Sequence, residues 1–251
     1  MTTRVALVTG GASGIGREIC LALAADDRRV AVADINADGA AETAALVSEA
    51  GGEAIAVTMD ITDSDSVAQG HLQTVDELGP VDVLVNVAGW DEFHKFVDTD
   101  EAFWDRIIEI NYKGMLRTCH ACVPGMIERG WGRIVNIASD AGRVGSSLEA
   151  VYSGAKGGTI AFSKTLAREV ARKGVTVNVV CPGPTDTPLL AEIVGTDTDS
   201  ERVIGAMANA VPMKRVGQPA EVAPAVVYFA SDGAGFTTGQ TLSVSGGLTM
   251  A

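Results

Sequence analysis

Cationic side chains are scarce in this chain: 19 Lys and Arg stand against 32 Asp and Glu, a formal charge of −13 over 251 residues. So acidic a surface excludes nucleic acid as a partner, because a phosphate backbone selects basic patches, and it favours solubility. Long apolar runs are missing as well. Stretches such as Val81-Asp82-Val83-Leu84-Val85 are far shorter than the ~20 residues that span a bilayer, so no membrane contact is expected. Met1-Thr2-Thr3-Arg4 leads directly into a strand-like segment without a signal-peptide pattern, which predicts a cytoplasmic protein. The three histidines, His71, His94 and His120, are scattered, and only His94 falls near a probable substrate loop. The four cysteines sit at 20, 119, 122 and 181. Cys119-His120-Ala121-Cys122 has Cys-x-x-Cys spacing but lies within a helix-like run and lacks a second ligand pair. Packing as small hydrophobes is therefore expected rather than a zinc or redox site, and no metal is expected.

What the chain has in quantity is apolar residues, 47%, and glycine, 29 residues, with no repeat and no linker-like stretch. This suits one sizeable α/β domain over residues 1–251. Strand patterns fall near residues 4–9, 29–34, 53–58, 81–85, 132–138, 175–181 and 241–244, with helical patterns between them. Regular alternation of this kind implies a parallel sheet covered by helices on both faces, with ligands collecting at the carboxyl ends of the strands.

The first strand pattern, Arg4-Val5-Ala6-Leu7-Val8, runs into Thr9-Gly10-Gly11-Ala12-Ser13-Gly14-Ile15-Gly16 and then into a helical pattern. Strand, glycine turn and helix form the setting in which a dinucleotide pyrophosphate rests on a helix N-terminus. The spacing Gly10, Gly14, Gly16 is neither G-x-G-x-x-G nor a P-loop, and taken alone it is equally a tight turn. The second strand ends in Asp34, where a carboxylate accepts hydrogen bonds from the ribose hydroxyls of NAD and repels a 2′-phosphate. Ser13, Ile35 and Asn36 offer no cation to reverse that preference. The bland alternative is that Asp34 opens a turn.

Ser139 follows the strand pattern Arg133-Ile134-Val135-Asn136-Ile137-Ala138, and Tyr152-Ser153-Gly154-Ala155-Lys156 comes shortly after. A helix from about Glu149 onward places Tyr152 and Lys156, four apart, on one face. A phenol titrates near 10, so a neighbouring ammonium is needed to draw it towards neutrality. With Ser139 polarising a carbonyl oxygen and Tyr152 protonating it, the trio suits interconversion of an alcohol and a ketone. The bare Tyr-x-x-x-Lys spacing, however, equally describes a half-buried aromatic beside a solvated lysine.

Together these residues resemble the classical short-chain dehydrogenase/reductase family, with its Thr-Gly-x-x-x-Gly-x-Gly turn, over essentially the whole chain. The resemblance, with right-handed crossovers, implies a Rossmann-like doubly wound sheet of about seven strands in the order 3-2-1-4-5-6-7. It also implies NAD as cofactor, held by Gly10, Ser13, Gly14, Ile15, Gly16, Asp34 and Ile35, by Asp60 and Ile61 near the adenine, and by Asn86, Ala88 and Gly89 after the fourth strand. Tyr152, Lys156 and the turn carrying Pro182, Gly183, Thr185 and Thr187 complete that set. Ser139, Tyr152 and Lys156 are the implied catalytic residues, with Lys156 lowering the Tyr152 pKa and Asn111 holding a water in a proton relay. Val87 departs from the family's Asn-Asn-Ala-Gly, which puts one local hydrogen bond in question.

Several stretches, among them Ala88-Gly89-Trp90-Asp91 and Arg143-Val144-Gly145-Ser146-Ser147, are similar to 2-hydroxycyclohexanecarboxyl-CoA dehydrogenases. On that likeness the expected substrate is a cyclic secondary alcohol carried as a CoA thioester, touched by Trp90, Ser139, Arg143 and Tyr152. The alternatives are a 3-oxoacyl thioester (acyl carrier protein or CoA) reductase, a dehydrogenase of free cyclic alcohols, and a catalytically silent dinucleotide-binding protein. Trp90 taken singly is as well explained as core, and Arg143 as a surface charge. The segment 189–211 reads as a substrate lid or as a surface insertion. The resemblance further implies a homotetramer.

Overall fold

A computed structural model describes residues 3–195 and 200–250. Seven parallel strands, β1 (Val5–Thr9), β2 (Arg29–Asp34), β3 (Ala54–Thr58), β4 (Val81–Asn86), β5 (Gly132–Ile137), β6 (Val175–Pro182) and β7 (Thr241–Val244), form one sheet. Their order is β3-β2-β1-β4-β5-β6-β7, the order expected. The crossing from β1 to β4 makes a switch point, with β1 paired to β2 on one side and to β4 on the other. Ligand crevices open there in such sheets.

Side chains alternate along each strand and build two cores. Ala6, Val8, Val30, Val32, Val83 and Val85 face helices α1 (Gly14–Ala25), α2 (Ala37–Glu49) and, near the end of the chain, one at Pro219–Ala230. Val5, Leu7, Ala31, Ala33, Leu84 and Ile134 face the opposite layer, built from α3 (Ser64–Leu78), α5 (Gly114–Arg129) and α7 (Ala150–Val170). Both faces are covered, which is why the strands read as near-continuous apolar runs. No helix among the described residues is long and apolar enough to cross a membrane.

Two features position the site. First, α4 (Glu101–Ile108) continues into α5 through a π-helical segment at Glu109–Lys113. Extra residues of this kind interrupt α-helices mostly at functional positions, and Asn111 lies inside this one. Second, Asn86 is the last residue of β4 rather than a loop residue. It accepts from Thr118 Oγ1 at 2.6 Å and donates to Asn136 Oδ1 at 2.8 Å, and Asn136 in turn donates to Ser163 Oγ at 2.8 Å. This buried chain of polar groups locks β4 and β5 to α5 and α7, the helix that carries Tyr152 and Lys156. Fully partnered networks of this kind fix one arrangement of a core.

Two helices follow β6 before the last helix of the sheet's cover. Helices α8 (Pro188–Val194) and α9 (Ser200–Ala210) follow the short α6 (Ala141–Val144) and α7 in sequence, while residues 196–199 of the expected lid lie outside the described residues. Pro219–Ala230 is α10. All four cysteines are buried thiols. Burial pushes the Cys119 thiol up to about 12 and Cys122 higher still, so both behave as apolar filling.

Candidate active site

A cleft of about 930 Å³ opens at the carboxyl ends of the strands, at the upper end of the size range for small-molecule sites. Its first wall is the glycine turn between β1 and α1. Gly10 and Gly14 have φ of +70° and +51°, in the left-handed region that favours glycine. A Cβ on Gly16 would lie 1.9 Å from the Gly10 carbonyl oxygen, and one on Gly10 would lie 2.7 Å from the Ala88 nitrogen. Only glycine allows β1, the start of α1 and the end of β4 to approach this closely, and the resulting cradle faces the cleft through Gly10, Ser13, Gly14, Ile15 and Gly16. Asp34 closes one end. Its Oδ2 accepts from the Ala12 N–H at 3.0 Å and its Oδ1 from the Asn36 N–H at 2.9 Å, and Ile35 beside it is 68% exposed. Asp60, Ile61, Ala88, Gly89, Pro182, Gly183, Thr185 and Thr187 also line the cleft. A dinucleotide fits this wall: a glycine cradle at a helix N-terminus for its pyrophosphate, a carboxylate for a ribose, and apolar sides for its rings.

At the other end Ser139, Tyr152 and Lys156 come together. Ser139 leaves β5, accepts from the Ala141 N–H at 3.1 Å, and lies close enough to Tyr152 to draw its phenol down. Lys156 is 4% exposed, donates from Nζ to the Ile137 carbonyl at 3.1 Å, and sits 5.5 Å from the centre of the Tyr152 ring. Several groups set the electrostatics of the pair. Burial drives the Tyr152 phenol above its ordinary value, Asp91 and Glu149 push it further, and only Ser139 draws it down. Burial lowers Lys156 itself to about 8, against partial support from Cys181 and Asp91.

Three expected site residues stand outside the cleft lining. Asn86 works from behind, in the buried network above. Arg143 turns towards β7, donating to Ser243 Oγ at 2.8 Å, while Ser243 donates to Asp140; its position beside Ser139 in the sequence does not place it beside the Ser139 hydroxyl. Asn111 donates to the carbonyls of Trp90 at 2.7 Å and Ile107 at 3.0 Å, and its Oδ1 accepts from the Trp90 N–H at 3.3 Å. Its amide thus fixes the backbone at Trp90, and a relay water has only the remaining capacity of Oδ1 to use. Val87, at the departure from the family pattern, donates its N–H to Thr9 Oγ1 at 3.2 Å.

Trp90 does line the cleft, half-buried, with the Arg106 guanidinium 3.6 Å from its ring centre and Phe103 packed edge-on. Leu189, Leu190, Ile193, Met207 and Ala210 from α8 and α9 face the same space. Arg106 and Glu149, to which the sequence pattern gives no role, also line the cleft. A charged residue directly after Ala88-Gly89-Trp90 was the available signal for Asp91; nothing local marked Arg106.

Comparison with known proteins agrees with this geometry. A family profile described as enoyl-(acyl carrier protein) reductase matches residues 10–249. An acetoacetyl-CoA reductase from Shinella zoogloeoides is 41% identical over 98% of both chains. A 3-oxoacyl-[acyl-carrier-protein] reductase from Synechocystis sp. is 39% identical over 100% of this chain and 98% of its own. A crystal structure of an actinorhodin polyketide ketoreductase variant with NADPH superposes with a TM-score of 0.92 at 38% identity, covering 98% of this chain and 97% of the other. With this fold, this glycine turn and relatives this close over nearly its whole length, the chain belongs to the classical short-chain dehydrogenase/reductase family, as an oxidoreductase of the ketoreductase kind acting on CH–OH groups.

Proposed function

We propose that the chain is a cytoplasmic, NAD-dependent reductase of 3-oxoacyl thioesters, interconverting a ketone and a secondary alcohol on a CoA or acyl-carrier arm. The observation that carries the reading is the convergence of Ser139, Tyr152 and Lys156 on one largely apolar cleft, with the Lys156 ammonium 5.5 Å from the centre of the Tyr152 ring. When bound, the nicotinamide supplies the hydride chemistry. Ser139 holds the substrate oxygen by a hydrogen bond, and Tyr152 gives its proton to that oxygen in reduction or takes it in oxidation. Lys156 keeps a positive charge under the ring and retains the Ile137 carbonyl as its anchor. Asn111 fixes Trp90, whose indole forms part of the acyl-facing wall. Residues 1–251 act as one domain, with α8 and α9 as the substrate lid.

Relatives named for acetoacetyl-CoA and 3-oxoacyl substrates favour the acyclic thioester over the cyclic one. With Arg143 turned to Ser243, the cyclic reading keeps only Trp90 as its support. The long-range repulsion of a polyanionic arm by a −13 chain is offset locally by Arg106 at the cleft. Two further cations are turned away to other partners, Arg215 to Glu221 at 2.7 Å and Lys214 to the Asn209 carbonyl at 2.6 Å. The test compares kcat/KM for acetoacetyl-CoA, 2-ketocyclohexanecarboxyl-CoA and a free cyclic ketone. The acyclic thioester is expected to lead by at least tenfold; equal use of the free ketone rejects the thioester assignment.

For the cofactor, Asp34 presents its carboxylate at the cleft, and the nearby Arg17 is turned onto Glu42 at 2.8 Å. NADH is therefore expected to exceed NADPH in kcat/KM, and Asp34→Ala combined with Ile35→Arg is expected to relax or reverse the ratio. A wild-type ratio favouring NADPH rejects the role given to Asp34. The open edge of β7, with Leu242 43% exposed and Phe236 fully exposed near it, supports a homotetramer. Light scattering that returns a monomer at micromolar concentration rejects it.

A further inference from the structure

Asp91 is a buried acid with no obvious place in the chemistry above. It is 5% exposed, directly follows the Trp90 backbone that Asn111 holds, and neither of its carboxyl oxygens makes a hydrogen bond of ordinary geometry among the described residues. An unpartnered carboxylate in such a place costs several kcal/mol in principle. Another acid, Glu149 at the N-terminal end of α7, shares a small cavity with it and pushes its carboxyl up. Two carboxylates offer only acceptors to each other, so the contact is satisfied only when one keeps a proton. Asp91, Glu149 and Tyr152 line one small cavity, and Glu149 and Tyr152 also line the main cleft. Glu149 thus joins the buried acid to the space where the reaction occurs.

We propose that Asp91 and Glu149 form a proton-sharing carboxyl pair whose charge opposes phenolate formation at Tyr152, which makes both of them positioning residues for the proton step. The inference rests on the reading of Tyr152 as the proton donor. Its surroundings are consistent. Lys156 and Tyr152 face the pair from α7, and the Cys181 thiol on β6 faces Tyr152 and Lys156. Glu92 and His94, on the same loop as Asp91, bond each other at 3.0 Å, and Arg106 on α4 is turned over Trp90. Burial and Glu149 together push the Asp91 carboxyl up to about 8, with the Glu92 amide and Lys156 opposing. Near neutrality Asp91 therefore keeps its proton; as the pH rises through that value the proton leaves to solvent through the cleft, and the phenol faces one more negative charge. The pair holds Tyr152 in the protonated form that reduction requires and delays the phenolate that oxidation requires.

The test is the pH dependence of kcat/KM in both directions for wild type, Asp91→Asn, Glu149→Gln and Glu149→Asp. Removing one charge within about 12 Å of the phenol is expected to move the midpoint assigned to Tyr152 down by at least one unit, from the Coulomb energy at an effective dielectric near 20. Oxidation then becomes about tenfold faster on the rising limb, and Glu149→Asp returns the midpoint towards wild type. Loss of packing alone changes kcat without moving a midpoint. If Asp91→Asn fails to fold, the half-buried Glu149→Gln reads the same effect. Ultraviolet titration of tyrosinate in the cofactor-free protein, with Tyr152→Phe subtracting the other tyrosines, reports the shift independently of turnover. Midpoints unmoved, or moved upward, in the variants overturn the pair while an inactive Tyr152→Phe keeps the proton-donor reading. An active Tyr152→Phe overturns both.

Discussion

In Tyr152→Phe, turnover is expected to fall by ~10²- to 10⁴-fold, the usual contribution of a positioned general acid or base, while dinucleotide affinity stays close to that of wild type. The reasoning is local. The substitution removes one hydroxyl, the one that meets Ser139 at the cleft, and leaves the ring that packs beside Lys156 and along the cleft. Steady-state kinetics and a binding titration on the same preparation separate the two effects. Retention of half the wild-type rate removes Tyr152 from the proton step, and a large loss of cofactor affinity means that the hydroxyl serves the cofactor instead.

Lys156→Met is expected to abolish activity and yet to stabilise the fold at neutral pH. The ammonium is 4% exposed and its value is lowered from 10.5 to about 8 by burial, so the folded state holds the charged form at a cost. At 1.36 kcal/mol per unit the shift corresponds to about 3 kcal/mol. The orphaned Ile137 carbonyl, which loses its 3.1 Å donor, returns about 1 kcal/mol of that, leaving a net gain of roughly 2 kcal/mol. The sign follows from linkage: between pH 8 and 10.5 the unfolded chain binds more protons at this site than the folded one, so wild-type stability rises through that window. The gain in Lys156→Met is therefore full below pH 8 and fades towards pH 10.5. Thermal unfolding at neutral and alkaline pH checks it; a variant less stable than wild type at neutral pH shows that the lysine's contacts outweigh its desolvation. A site that lowers stability at its own charged residue is the usual trade between activity and stability.

Much of this was readable from the sequence because it is local. The glycine turn, Asp34, Ser139 and the Tyr152–Lys156 spacing each lie at a strand end or on one helix face, where periodicity places residues without knowledge of the rest of the chain. The strand order followed once the family resemblance was recognised. What escaped depends on contacts between distant segments. Arg143 is drawn from the cleft by Ser243, 100 residues away in sequence, and no local pattern records that. Asn86 looked like a loop residue because β4 was expected to stop one residue early; its partners Thr118 and Asn136 belong to other elements. Burial and Asp91, which lies far from it in sequence, raise the Tyr152 phenol, and the Tyr152–Lys156 spacing records neither. Spacing shows which groups meet, but the dielectric in which they meet is a property of the whole fold.

The most direct test of the account is a crystal structure with NAD and an unreactive 3-oxoacyl thioester analogue bound. The account predicts the keto oxygen within hydrogen-bond distance of both the Ser139 Oγ and the Tyr152 hydroxyl, with the acyl chain along Trp90. A keto oxygen held by Arg106 or left in solvent, with the two hydroxyls bonded only to each other, contradicts it.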